Sequence, residues 1–194
     1  MKPATLSLVL ALTCLACTST AHEQIYTFDL SGPAESPPNA SPGTGSALVT
    51  FDLDLVTMRV QADFTGLTGM TTAAHIHCCT ADPGLLNAGV ATITPTFTGF
   101  PSGVTAGVYD HTYDMAVAGS YNAAFITANG GTVSSALNTL LAGLDAGKAY
   151  FNIHTSTFGG GEIRGFGVVI PEPGSMLLTV VGLGTSLLGC RRWI

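Results

Sequence analysis

The sequence predicts a mostly β fold, an antiparallel β-sandwich or barrel-like single domain with one short helical insertion. Three observations predict it. Met58 to Phe64 alternates apolar and polar residues without a break, as a half-buried strand requires. Several further short apolar runs are separated by Gly, Pro, Ser and Asn clusters that read as turns. Charged residues make up only 9% of the chain and glycines number 24, which suits a turn-rich β domain better than a helical one.

Gln24 to Leu30 alternates well enough for an opening strand, and the loop Ser31 to Ser46 comes after it. Ala47 to Leu53 places Val49, Phe51 and Leu53 on one face. The short connection Asp54 to Thr57 pairs it with Met58–Phe64 as an antiparallel hairpin. Ala73 to Cys78, Val90 to Phe97 and Gly107 to Val117 read as strands. Ser134 to Leu144 is different: serines open it, Ala136, Leu137, Leu140, Leu141 and Leu144 fall at helical spacing, and Gly147 lies just past its end. A further helical turn is expected around Asn122 to Ala128. Ala149 to Thr155 and Ile163 to Ile170 close the domain as two strands joined through Gly159-Gly160-Gly161.

Both ends read as addresses. Met1-Lys2, the apolar stretch Ala4 to Ala16 and the small residues of Ser19-Thr20-Ala21 predict a signal peptide over residues 1–21, cleaved before His22. Cys17 leaves lipidation as an alternative, weakened by Cys14 three residues before it, where leucine is usual. At the other end Pro171-Glu172-Pro173 precedes an apolar run from Met176 to Cys190 and then Arg191-Arg192. That run of 15 residues is short against the roughly 20 that span a bilayer core. Triplet, apolar run and basic end together resemble a PEP-CTERM sorting signal over residues 171–194. The resemblance implies transient anchoring in the inner membrane and recognition by an exosortase-type processing protease. It also implies an association with exopolysaccharide or biofilm. An ordinary C-terminal anchor is the alternative.

Residues 22–170 remain as one domain large enough for a core of its own. Within it Arg59, Lys148 and Arg164 face eleven acidic residues, a net charge of −8. Such a surface repels polyanions, so nucleic acid is excluded as a partner. Only Cys78 and Cys79 remain in that segment, too few for a disulfide framework. Three readings stay open for them: a disulfide between neighbours whose Cα atoms stand about 3.8 Å apart across a trans peptide, thiolate ligation, and inert buried thiols.

Four patches, in order, resemble the CHRD domain. They are Leu30 to Pro38 with Gly43-Thr44-Gly45-Ser46-Ala47; Phe64-Thr65-Gly66-Leu67 leading into Ala73-Ala74-His75-Ile76-His77; Ala149 to Thr155; and Gly161-Glu162-Ile163-Arg164-Gly165. The resemblance spans residues 25–168 and implies an exported β-sandwich or barrel-like module without a settled activity. Cys78-Cys79 and the stretch from Leu85 to Leu144 depart from the minimal pattern, and growth-factor binding is not carried over.

The chemistry rests on histidine. His75 and His77 lie two apart on one strand and face the same way, with Cys79 on that face if the strand continues. His154 shares its face with Tyr150 and Asn152, opposite Phe151 and Ile153. Convergence of the three imidazoles would suit one copper or zinc ion, with Glu162 or Cys79 as further candidates. The competing reading is a polar cluster in which Asn152, Thr155, Glu162 and Arg164 satisfy the imidazoles. The chain carries no nucleophile elbow, P-loop or H-E-x-x-H helix. The expected role is a non-catalytic surface or matrix module; the alternative is a metal-binding protein or metal-dependent oxidoreductase.

Overall fold

A computed structural model describes residues 22–171. The proposed signal peptide lies outside the described residues, as do Glu172, Pro173, Arg191, Arg192 and the apolar run between them. Among the described residues no helix is long and apolar enough to cross a membrane.

Among the described residues the eight strands are β1 (Glu23–Ser31), β2 (Thr44–Asp52), β3 (Thr57–Thr65), β4 (Thr71–Cys78), β5 (Gly107–Asp114), β6 (Ala149–Thr155), β7 (Ile163–Phe166) and β8 (Val168–Ile170). They form one antiparallel sheet in the order β4-β6-β7-β1-β2-β3-β5, with β8 also paired to β1. The sheet curls into a half-barrel, the barrel-like alternative of the predicted fold class.

The predicted hairpin forms in full register, from Thr44 opposite Thr65 to Asp52 opposite Thr57. Its turn is fastened by Asp52, whose Oδ1 accepts the backbone N–H groups of Asp54 and Leu55. Alternation drives Met58, Val60, Ala62 and Phe64 into the core while Arg59 and Asp63 stay in water. The same inner face receives Phe28 and Val49 from β1 and β2, and Phe151, Ile153 and Ile163 from β6 and β7.

Among the described residues two α-helices form where the sequence predicts one helix and a helical turn: α1 (Ala123–Ala128) and α2 (Val133–Asp145). Thr132 caps α2 through a reciprocal capping box with Ser135. Gly147, at φ +64°, lies past its end and donates its N–H to the carbonyl of Leu144. Ala136, Leu140 and Leu144, spaced four apart, bury one face of α2 in the core.

Two expectations need correction. Val90 to Phe97 is not a strand: Val90 bridges His77 and Thr92 bridges Tyr121, and nothing regular continues from either. Pro95 lacks an N–H, and Thr92 and Thr96 use their side-chain oxygens to accept from Ile76 and Ala74 of β4. The segment therefore lies along the edge of β4 and covers it without joining the sheet. Ile163 to Ile170 is not one strand either. It divides at Gly167, where a Cβ would come within 3.1 Å of Phe28 and 3.0 Å of Leu144. Beyond that glycine β8 continues along β1 in the register that β7 began.

Candidate metal centre

β4 lies beside β6 in a register that sets His75 opposite Asn152, His77 opposite Tyr150 and Ala73 opposite His154. All these side chains except Ala73 carry polar groups, and they point to the face of the sheet away from Ile76, Phe151 and Ile153. The ring centroids of His75 and His154 are 5.2 Å apart, and His77 lies 5.7 Å from each. One nitrogen from each ring falls within 4.8 Å of the other two. The expected convergence of the three imidazoles is therefore present.

What fixes the rings is backbone. His75 Nε2 lies 2.5 Å from the carbonyl of Pro95, His77 Nδ1 lies 2.9 Å from that of Ala88, and His154 Nδ1 lies 3.1 Å from that of Gly159. A carbonyl can only accept, so each of these ring nitrogens carries the proton. The opposite nitrogens, His75 Nδ1, His77 Nε2 and His154 Nε2, are then lone-pair donors. All three are buried without a hydrogen-bond partner. Three buried acceptors without a donor cost about 1–3 kcal/mol each. A cation between them would supply what each lacks, and donation of the second ring N–H to a carbonyl is how metal-bound imidazoles are held.

Electrostatics agree. Burial pushes the proton affinity of all three imidazoles down, only partly opposed by their carbonyl contacts. His77 is lowered to about 4, with the neighbouring histidines and Arg164 adding to the effect of burial. The rings are thus neutral at ordinary pH and ready to bind a metal without first losing a proton.

The further candidates stand elsewhere. Glu162 is buried and does not reach the histidines; its carboxylate accepts from the Ser41 and Thr155 hydroxyls and from the N–H groups of Thr68 and Gly69. Burial raises its proton affinity, and these four bonds outweigh it and hold the carboxyl below its usual range. Cys79 is joined to Cys78 in a disulfide, so neither is a thiolate ligand. The peptide between them is cis, with Cα atoms 3.0 Å apart where the trans geometry assumed from sequence gives a wider spacing. Both sulfurs lie against Gly143 of α2, where a Cβ would collide with them. Pro171 is exposed at the last described position.

Nor do Asn152, Thr155, Glu162 or Arg164 satisfy the imidazoles. Arg164 is buried and donates to the carbonyls of Ala34 and Leu86 and to Asn87 Oδ1, with Glu35 3.8 Å from its Nε. Its guanidinium covers the Tyr150 ring at 4.7 Å, and Tyr150 stacks on His77 at 4.8 Å and 4°. Burial lifts Glu35 to about 7 against the pull of Arg164. Sequence reasoning misses Glu35 and the three carbonyls. Glu35 carries only its place in a Pro-rich patch, and a backbone carbonyl leaves no mark in a sequence.

No curated protein and no solved structure matches this chain. The family model of the CHRD domain matches residues 26–166, which includes all three histidines and the sheet from within β1 to the end of β7. With most of its length matched in this way, the chain belongs to the CHRD domain family.

Proposed function

We propose that the protein is an exported, non-catalytic CHRD module of the cell surface or extracellular matrix that holds one copper or zinc ion at His75, His77 and His154. Membership of the CHRD family supports an extracellular or secreted module. Two observations carry the metal reading: each of the three histidines has a ring nitrogen within 4.8 Å of one from each of the others, and each has one buried ring nitrogen without a hydrogen-bond partner. Direct ligation at about 2.0–2.1 Å per nitrogen needs only a small inward movement of the rings. The residues offer a structural role for such an ion. It would cross-link β4 to β6 beneath the segment 79–106, whose carbonyls at Ala88 and Pro95 already orient two of the rings.

The non-catalytic reading rests on the missing catalytic motifs. Sorting by an exosortase-type protease and association with exopolysaccharide rest on the tail of residues 171–194. A second reading, a metal-dependent oxidoreductase, is favoured by the ligand count, since three protein ligands leave a coordination position open.

Elemental analysis of the purified protein tests the metal reading. One equivalent of copper or zinc is expected in the wild type, and less than a tenth of that in His77→Ala. Failure to hold any metal after loading and gel filtration would remove it. Mass spectrometry tests the sorting reading: the mature protein should begin near His22 and lack Arg191-Arg192.

A further inference from the structure

Building on the metal centre proposed above, we infer that the ion it selects is monovalent copper, Cu(I), in preference to a divalent ion. The donor set is uncharged. Among the described residues the convergent group consists of three imidazoles, with no carboxylate or thiolate within it. The nearby sulfurs are closed in a disulfide, and the Glu162 carboxylate is turned to four other donors. The cost of moving an ion out of water grows with the square of its charge, so a divalent ion in this pocket pays about four times the monovalent cost with no anion to offset it.

A fixed charge close to the site has the wrong sign for a dication. His77 and Arg164 both stack on Tyr150, at 4.8 Å and 4.7 Å, which puts the guanidinium no more than 9.5 Å from the His77 ring. At an effective dielectric of about 20, that repulsion weakens binding on the order of tenfold for each unit of charge on the ion. Glu35, beside Arg164 at 3.8 Å, offsets part of it. Coordination number points the same way. Three nitrogens complete a trigonal Cu(I) shell, whereas zinc on three protein ligands needs a water as its fourth, and among the described residues no fourth side chain joins the group.

The test is an anaerobic titration of the wild type at pH 8 with Cu(I) and, separately, Zn(II), each against a chromophoric chelator of known affinity. A competition between the two ions completes it. One equivalent of Cu(I) is expected to bind and to survive a tenfold excess of Zn(II). Glu35→Gln, which leaves Arg164 uncompensated, should weaken Zn(II) binding several-fold more than Cu(I) binding. Displacement of Cu(I) by Zn(II) would overturn the selectivity while leaving the three-histidine site intact. Equal losses for both ions in Glu35→Gln would remove the charge argument. If the wild type binds neither ion, or if His77→Ala binds both unchanged, the metal centre itself falls. The wild-type competition is decisive even if a variant does not fold.

Discussion

Two halves of the same sheet treat their polar residues in opposite ways. On β3 the burial alternates: Met58, Val60, Ala62 and Phe64 are inside, and Arg59 and Asp63 are in water. On β4 and β6 it does not. Ala74, His75, Ile76, His77 and Cys78 are all buried, as are Ala149 to Ile153, because segments 32–42 and 79–106 cover the second face. The two arginine–carboxylate pairs illustrate the consequence. Arg59 meets Asp110 at 2.6 Å with both side chains about half exposed, whereas Arg164 meets Glu35 at 3.8 Å with both nearly fully buried. The shorter pair matters less, since water already solvates both charges and screens them. Under the cover water no longer solvates or screens a charge, so distance is a poor guide to energetic weight and burial a good one.

The largest effect should come from Glu162→Ala. It strips four donors of their acceptor at once, three of these bonds being buried, and a loss of about 3–5 kcal/mol is expected. A urea unfolding midpoint close to wild type would show that the covered face is not held in this way.

Arg164→Met comes next. It leaves Glu35 without its cation and the carbonyls of Ala34 and Leu86 without a donor, for a cost of about 3 kcal/mol. The same unfolding curves would report it, and a loss no larger than that of Arg59→Met would erase the contrast between the halves.

The pH dependence of the metal-free protein sharpens the comparison. The folded state holds its three imidazoles with lowered proton affinity, so the unfolded chain binds more protons once pH falls below about 6.5. Stability should therefore be full above that value and decline toward about 4, where His77 titrates in the folded state. The His77 contribution to the loss is about 3 kcal/mol. Glu35 acts in the opposite sense. Its folded value of about 7 lies above the ordinary 4.5, so its protonated form favours folding as pH falls through that interval. Glu35→Gln should consequently steepen the acid loss. Because the two contributions are of similar size, the decisive profile is that of Glu35→Gln: flat stability between pH 7 and 4 in that variant, or a slope unchanged from wild type, would contradict the assignment.

A smaller effect is the coupling between His75 and His154. Alanine substitutions at the two positions should be non-additive by about 0.5–3 kcal/mol, because the rings share one site. Additivity in a double-mutant cycle on metal-free protein would mean that the two positions act separately. Smallest of all is Arg59→Met, for which the unfolding midpoint should match wild type at high salt.

Much of the architecture is legible along the chain because it is written in local periodicity. Alternation from Met58 to Phe64 identifies β3 and its buried face, and four-residue spacing with serines ahead and Gly147 behind identifies α2. Val90 to Phe97 is misread for the same reason. Its composition is that of a strand, but Pro95 and the hydroxyls of Thr92 and Thr96 take hydrogen bonds out of the ladder.

Alternation along any strand is enough to place His75 and His77 on one face, and His154 on one face with Tyr150 and Asn152, before any fold is known. The meeting of those faces depends on contacts between distant segments. Pairing of β4 with β6 made the two faces one, and the carbonyls of Ala88, Pro95 and Gly159 turned one lone pair of each ring inward. Glu162, a candidate ligand from its place in the sequence, went instead to two hydroxyls and two backbone amides. Strand pairing and loop cover join residues tens of positions apart, and no local period in a chain records which of its polar groups will meet when water is removed.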